Sequence, residues 1–311
     1  MPSLRGPLEV RDCMRINEVE IEDTFAEAFP MVATRVIITA ADRFWARRAA
    51  ESMTGFATSV IGCACEAGIE REIEPEQTPD QRPGIAVLLF SFSAQELEKQ
   101  LVRRVGQCVL TCPSTSVFSG LDSDKQISMG KKLRYFGDGY QISKKVGERR
   151  YWRIPVMDGE FVCEQSTGCT KAIGGGNFLV LSESLSGALR ACESAMQAMR
   201  FVRSVIMPFP GGVARSGSKV GSKYKGLRAS TNDAYCPSLR SITSSKLPPG
   251  VHAALEVVID GLNQDDVKRA MRTGIQAACE AGTRYGLRCV TGGNYGGKLG
   301  PYHFHLREIL Q

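Results

Sequence analysis

An α/β fold of two lobes, an α+β sandwich in which each lobe is a ferredoxin-like split β-α-β unit, is what this sequence predicts. Three observations lead there. A strand-helix-strand pattern recurs through the chain, twice in each half. Each recurrence closes on a loop rich in Gly, Pro, Ser or Thr. A length of 311 residues suits two domains better than one. The boundary is expected near Asp158-Gly159, with a leader at 1–13, an N-terminal lobe at 14–158 and a C-terminal lobe at 159–311.

The leader is polar, carries prolines and has no periodicity, so it is expected to be disordered, with Met14 a candidate true start. Ile16 to Ile21 alternates like a short strand. Val32 to Thr39 is β-prone, and Asp42 is placed to cap a helix in which Trp45, Ala49 and Met53 recur every four residues. Gly55 stops that helix; a second strand is expected at Thr58 to Ile61 and a loop at Gly62 to Gly68. Glu70 to Pro83 reads as an acidic surface connection.

The unit then returns. Gly84 to Phe92 is apolar, Ser93 and Glu96 form a capping-box pattern, and Leu97, Leu101 and Val105 line a helix that Gly106 ends. Gln107 to Leu110 is expected as a strand before the loop Thr111 to Thr115. After a polar middle, strands are expected at Tyr151 to Val156 and Glu160 to Cys163. In the second half, Asn177 to Leu181 is a strand behind Gly174-Gly175-Gly176, followed by a helix carrying Leu185, Leu189, Cys192, Met196 and Met199, then a strand at Ser204 to Met207. Val251 to Ile259 is the next strand. Asn263 and Asp266 open a helix lined by Val267, Met271, Ile275 and Ala278, Gly282 closes it, and Arg288 to Val290 is the last strand before the glycine loop Thr291 to Lys298.

Composition narrows the function classes. Hydrophobic residues at 43% and charged residues at 23% are ordinary for a globular protein. No run of 18 apolar residues suggests a transmembrane helix, and the N-terminus lacks a signal-peptide core. The eleven cysteines are scattered, odd in number and free of Cys-x-x-Cys, which fits reduced thiols in the cytoplasm. A net charge of +6 favours anionic partners without choosing among them.

The loop Pro208-Phe209-Pro210-Gly211-Gly212 combines two rigid prolines with two permissive glycines. A basic, hydroxyl-rich segment with Ser216, Ser218, Lys219, Lys223 and Tyr224 follows it. This suits a ligand loop; a rigid surface turn with a solvated basic tail is the bland alternative. Glu256 is the sharpest catalytic candidate. In Val251 to Ile259 the odd positions are apolar and face the core, so Glu256 lies on the opposite face between apolar neighbours. If that face is covered, the carboxyl loses water, its pKa rises, and it can donate a proton. Against this stands a solvated glutamate on an open sheet face.

The glycine clusters at 174–176, 211–212, 292–293 and 296–297 can bring backbone N–H groups to an oxyanion or phosphate, although none matches a P-loop or dinucleotide fingerprint. With only His252, His303 and His305 present, covalent catalysis through a histidine base has little support and no metal site is expected. Cys108 and Cys236 read as small core or loop residues, and Lys219, Lys223, Lys225 and Lys298 as either anion-attracting or solvated cations.

Long strings then resemble one family, formylmethanofuran:tetrahydromethanopterin formyltransferase. They are Glu18 to Phe29, Gly106 to Val109, Phe136 to Gly139, Gly175 to Phe178, Pro208 to Gly212, Ser230 to Pro237 and Gly293 to Gly300, and the resemblance runs from about Met14 to the end. It implies a two-lobed homotetramer, a dimer of dimers, with substrates bound between subunits. It implies formyl transfer between the amine of methanofuran and N5 of tetrahydromethanopterin, the two C1 carriers being substrates, with no tightly bound cofactor. The family's proposed catalytic glutamate falls on Glu256. The expected substrate-binding residues are Asn177, Pro208, Phe209, Pro210, Gly211, Gly212, Ser218, Lys219, Lys223, Tyr224, Asn294, Tyr295 and Lys298.

The leader before Met14 falls outside the family pattern, and Gly62 to Glu66 lacks a proline common in relatives. The basic charge, where archaeal relatives tend to be acidic, points to the bacterial branch. There the enzyme serves formaldehyde oxidation and works with a formylmethanofuran-hydrolysing complex. Two other classes compete: a non-catalytic binding subunit of such a complex, and an RNA-binding split β-α-β sheet. The RNA reading needs exposed aromatics on adjacent central strands, and Phe90, Phe92 and Phe178 form no such motif. No nucleic-acid or membrane partner is expected.

Overall fold

The computed structural model describes residues 14–311; the leader expected at 1–13 lies outside the described residues. A hairpin of β1 (Met14–Ile16) and β2 (Val19–Ile21) leads into β3 (Phe25–Thr39), α1 (Arg43–Thr54), the turn α2 (Val60–Cys63), β4 (Glu66–Ile73), β5 (Gly84–Ser91), α3 (Ala94–Arg104) and β6 (Ser116–Ser119). Next come β7 (Gln126–Ser128), α4 (Gly130–Leu133), β8 (Ile142–Val146), β9 (Arg149–Val156), β10 (Gly159–Glu164) and β11 (Ser166–Gly168). The second half holds β12 (Thr170–Ser182), α5 (Leu185–Met199), β13 (Val205–Ile206), β14 (Val213–Ala214), the ribbon of β15 (Ser218–Val220) and β16 (Ala229–Thr231), then β17 (Ala253–Gly261), α6 (Gln264–Gly282), β18 (Leu287–Thr291), β19 (Tyr302–His305) and α7 (Leu306–Leu310).

Local chemistry explains the helices. Asp42, Ser93, Ser184 and Asn263 sit at N-caps in extended conformation, and each side chain accepts from a backbone N–H three residues on. Each helix buries one stripe: Ala49 and Met53 in α1, Leu97 and Leu101 in α3, Cys192 and Met199 in α5, and Val267, Met271, Ile275 and Ala278 in α6.

The strands order as β4-β5-β3-β6 in one half and β13/β14-β17-β12-β18 in the other, antiparallel throughout. Both are the ferredoxin-like arrangement. β3 joins them. Its residues 25–28 pair with β19, 29–33 with β12 and 32–39 with β5. Pro30 falls between the β19 and β5 pairings, where its missing N–H interrupts neither ladder.

Core packing follows space rather than chain order. One apolar core gathers Val19, Ile21, Ala26 and Ala28 with Phe178, Val257, Met271 and Phe304; the other gathers Val36 and Ile38 with Leu89, Leu101, Phe161 and Cys163. Asp158-Gly159 lies at the turn of the β9–β10 hairpin.

Several local expectations are corrected. Ile16 to Ile21 is a hairpin rather than one strand, because Asn17 and Glu18 both take positive φ. Thr58 to Ile61 leads into the α2 turn, and the second strand of that unit is Glu66–Ile73, which takes up part of the expected loop and the start of the expected surface connection. Gln107 to Leu110 is no strand: α3 runs on through Gly106 into a π-helical turn at Val105–Val109, and the strand is Ser116–Ser119. Trp45, Leu185 and Leu189 are exposed although they share helical spacing with buried residues. Phe90 and Phe178 are fully buried, so they offer no base-stacking platform.

The Asn263 carbonyl accepts from Asp266 N at 2.9 Å while its amide donates to Asp266 Oδ2 at 2.7 Å. Asn263→Ala is expected to cost about 1 kcal/mol in urea unfolding, with an unchanged m-value.

Candidate active site

Strand alternation in β17 carries the site. Ala253, Leu255, Val257 and Ile259 are buried against the helices, while Ala254, Glu256 and Val258 on the other face keep partial solvent contact; Val251, ahead of the strand, packs instead with Leu179, Leu181 and Leu247. Glu256 stands opposite Leu179 of β12 on one side and Ala214 of β14 on the other. The face it occupies is covered. A cavity of about 600 Å³ lies where the two sheets meet, and Glu256 is in its wall. Although its surface is only half-buried, the surrounding protein removes enough water to push its carboxyl up to about 7. The carboxyl therefore stands in the wall of a cavity rather than on an open sheet face.

The other walls come from distant parts of the chain. β3 supplies Glu27 and Phe29, the α2 turn supplies residues 58–63, and β4 supplies Glu66. β12 supplies Gly175 and Asn177, the β15–β16 ribbon supplies Lys219 and Arg228, and the last glycine loop supplies Tyr295. Phe209 enters from the Pro-Phe-Pro-Gly-Gly loop. Of the residues expected to bind substrate, Asn177, Phe209, Lys219 and Tyr295 thus gather around Glu256. Pro208, Pro210, Gly211, Gly212, Lys223, Tyr224, Asn294 and Lys298 are not among the lining residues; Lys223, Tyr224 and Lys298 are exposed near the ribbon and the last loop. Ser218 pairs with Thr231 through the ribbon backbone, and its side chain lies outside those described.

Three of the glycine amides are taken up within the protein. The Gly175 N–H is donated to Asp260 Oδ1 at 3.0 Å, that of Gly212 to the Phe209 carbonyl at 2.7 Å and that of Gly293 to Asn177 Oδ1 at 2.6 Å. These donors are occupied inside the protein, so none of the three is available to an oxyanion. Asn177 also donates to the Gly175 carbonyl at 3.1 Å and the Gly293 carbonyl at 3.4 Å, which fixes the last loop to β12.

Glu27 is the residue that sequence reasoning assigned no role. It is buried in β3, and its carboxylate accepts from Tyr295 N and, at 2.6 Å, from Leu299 N. Burial would raise its pKa, but the backbone donors of Leu299, Tyr295, Gly297 and Gly300 outweigh that and hold it below the usual carboxylate range. The glycine loop is therefore an anion nest whose anion is the protein's own. Tyr295, placed beside Glu256, has its phenol pushed up by burial and then by the charges of Glu256 and Glu27.

His303 and His305 are exposed on one face of β19, flanking the Phe25 ring at centroid distances of 4.8 and 5.2 Å. Neither they nor His252 lines the cavity. Among the described residues no group of three or more His, Cys, Asp or Glu is arranged to hold a metal ion, and ten cysteines are free. No helix among the described residues is long and apolar enough to cross a membrane. A larger groove of about 680 Å³, lined by Leu110, Pro113, Phe136 and Met157, is mostly apolar and has Asp158 as its charged group.

A carboxyl pushed up to about 7, in the wall of a cavity at the junction of two ferredoxin-like lobes whose lining also holds a lysine and an arginine, defines a class: a two-lobed α/β protein with a proton-bearing carboxyl in a cavity that carries cations. The chain belongs to the formylmethanofuran-tetrahydromethanopterin formyltransferase family, whose profile matches residues 14–156 and whose proximal-lobe profile matches residues 159–309. It is 62% identical to the formylmethanofuran–tetrahydromethanopterin formyltransferase of Methylococcus capsulatus, over 96% of this chain and 100% of that one. It is 50% identical to a component of the formyltransferase/hydrolase complex of Methylorubrum extorquens, over 95% and 97%. Among solved structures, the formyltransferase/hydrolase complex of that organism with methylofuran superposes at a TM-score of 0.94, with 50% identity over 96% of this chain and 99% of that one. The Methanosarcina barkeri formyltransferase superposes at 0.90, with 47% identity over 95% and 100%.

Glu27→Gln places an amide among N–H donors and should loosen residues 295–300. The expected loss is about 1–3 kcal/mol of stability, with faster amide exchange in that loop. Because the Glu27 pKa is depressed, its contribution is present above the ordinary carboxylate range and is lost as pH falls through the depressed value. The variant should therefore show a weaker acid-side decline in Tm than the wild type.

Proposed function

We infer that this chain transfers a formyl group between N5 of tetrahydromethanopterin and the amine of methanofuran, by direct acyl transfer with both carriers bound. The observation that carries the mechanism is Glu256, held toward neutrality inside the cavity between the lobes. Family membership supplies the reaction, and the charge of the site suits the substrates. Lys219 and Arg228 line the cavity, and Lys223 and Lys298 stand exposed nearby, so the route into the cavity is cationic for carriers with carboxylate-rich or phosphorylated tails. Lys219 is partly spent, since its ammonium donates to Asp233 at 2.5 Å, which holds that carboxyl below its usual range.

The acceptor nitrogen attacks the formyl carbon, a C–N bond forms, and negative charge moves to the formyl oxygen. The protonated Glu256 donates a hydrogen bond or its proton to that oxygen or to the departing nitrogen. The tetrahedral centre collapses, the old C–N bond breaks, and the proton lost by the attacking amine restores Glu256. Most of the acceleration comes from holding the two carriers together. The chain's own backbone amides at Gly175, Gly212 and Gly293 are occupied, which puts more of the oxyanion stabilisation on Glu256. No tightly bound cofactor takes part in this scheme.

On the same reading the protein works in the cytoplasm as a homotetramer serving formaldehyde oxidation, with transfer running from the pterin to methanofuran. A second reading is a non-catalytic binding component. It draws on the Methylorubrum extorquens relative, which is named as part of a formyltransferase/hydrolase complex.

Formyl exchange between the purified carriers separates the two. The wild type should turn over with a rate that falls as pH rises through about 7, as Glu256 loses its proton. Glu256→Gln should fold, lose roughly a hundredfold or more in rate, and lose that alkaline limb. A near-normal rate in the variant would remove Glu256 from the mechanism. A silent wild type would favour the binding component.

A further inference from the structure

At the edge of the cavity one lining carboxyl, Glu66, meets a second, Asp260, that lies outside the lining, and the acyl-transfer scheme uses neither. Glu66 begins β4 in the first lobe, and Asp260 lies near the end of β17 in the second. Both are buried, Glu66 at 5% exposure and Asp260 at 0%. Each accepts one backbone N–H: Glu66 Oε1 from Val60 at 2.8 Å, Asp260 Oδ1 from Gly175 at 3.0 Å. The second oxygen of each, Glu66 Oε2 and Asp260 Oδ2, has no donor. Glu66 and Gly175, whose N–H anchors Asp260, line the same cavity, and the Glu66 carboxyl is the charged, hydrogen-bonding side chain that acts on Asp260.

Two buried carboxylates in contact, each with an orphan oxygen, are unfavourable twice over: the charges repel, and two strong acceptors go unpaired. One proton removes both costs. It turns one group into an O–H donor and the other into its acceptor, leaving a net charge of −1 on the pair.

We propose that Glu66 and Asp260 share one proton across the lobe junction, and that this bridge positions the two cavity walls that flank Glu256. One wall is the α2 turn, anchored through Val60. The other is the bulge in β12 where the register shifts between Ile173 and Gly176, anchored through Gly175 at φ +85°. Asn177, which holds the last glycine loop, follows two residues later. The pair touches no reacting atom; it acts through what it holds.

The surroundings offer no other solution. The remaining ionisable groups lining the cavity are Glu27 from β3, Glu256 from β17, Cys63 from the α2 turn, Lys219 and Arg228 from the ribbon, and Tyr295 from the last loop. Arg35 of β3 is bound to Glu70, farther along β4, at 2.6 Å. Among the described residues neither member of the pair has an ion-pair partner. Burial first, and the neighbouring Glu66 second, push the Asp260 carboxyl well up. The native state thus keeps a proton that the unfolded chain releases above the ordinary carboxylate range. The stability it brings is full below that range and is lost as pH rises through the raised value.

Carboxamides test this without substrate. Asp260→Asn or Glu66→Gln installs a permanent N–H donor in place of the shared proton. Each single variant should fold and show a flatter decline of Tm with rising pH than the wild type, and Asp260→Asn, at a residue outside the cavity lining, should transfer formyl groups at neutral pH within about threefold of it. The double variant sets two NH₂ groups against each other and loses the charge-assisted bridge. It should melt below either single variant and lose roughly tenfold or more in transfer rate, through misplaced walls. The proposal is overturned if the single variants keep the wild-type pH slope, if the double variant is as stable as the singles, or if both singles fail to fold. The positioning role rests on the transfer reading, but Tm against pH does not, so a wild type without transfer activity leaves the shared proton still under test.

Discussion

Four carboxyl groups, Glu27, Glu66, Glu256 and Asp260, are gathered around one cavity between two lobes, and none is free to remain an ordinary solvated anion. Each is resolved differently. Glu27 stays ionised because backbone amides of the last glycine loop wrap it. Glu66 and Asp260 resolve each other with one proton. Glu256 is desolvated without such compensation, so its carboxyl drifts toward neutrality. The same desolvation that would be a defect elsewhere is here what raises the Glu256 carboxyl to about 7.

The architecture makes that desolvation possible. A single ferredoxin-like sheet has helices on one face and leaves the other open. Here β3 runs through both sheets, pairing with β12 and β19 at one end and with β5 and β6 at the other. The second sheet's outer face is covered partly by the first lobe, where Val60, Leu88 and Phe90 pack with Ala172 and Ile206, and partly by Tyr235, Leu247 and Val251, which pack on Leu179 and Leu181. Gly175 lets β12 bulge at the crossing, since a Cβ there would meet the Phe29 ring at 2.7 Å.

The glycine-rich loops illustrate how much of a loop's backbone the protein itself can use. Their amides are gathered near the chemistry, as expected of an anion site. Yet the amides of Gly212 and Gly293 are satisfied by a backbone carbonyl and by the Asn177 carboxamide, and that of Gly175 by Asp260. Those three amides hold the loops in place around the cavity. Lys219 and Arg228 are the cations in the cavity lining.

Local signals alone were enough for the helices, their caps and the alternating face of β17, because each depends on neighbours within a few residues: Asp42, Ser93 and Asn263 cap within one turn, and Glu256 is opposite the core by parity. The family was legible too, through long strings whose role no periodicity explains. Partnership across the chain was not legible. Gln107 to Leu110 has strand composition, yet continues α3 as a π-helical turn. Leu185 and Leu189 have core spacing, yet both side chains are exposed. Nothing near Glu66 in sequence announces Asp260, and nothing near Glu27 announces Leu299. Which carboxyl meets a donor, which meets another carboxyl and which meets neither depends on long-range packing. Protonation follows from that packing, so only the tertiary structure decided which acid stays charged and which one holds its proton.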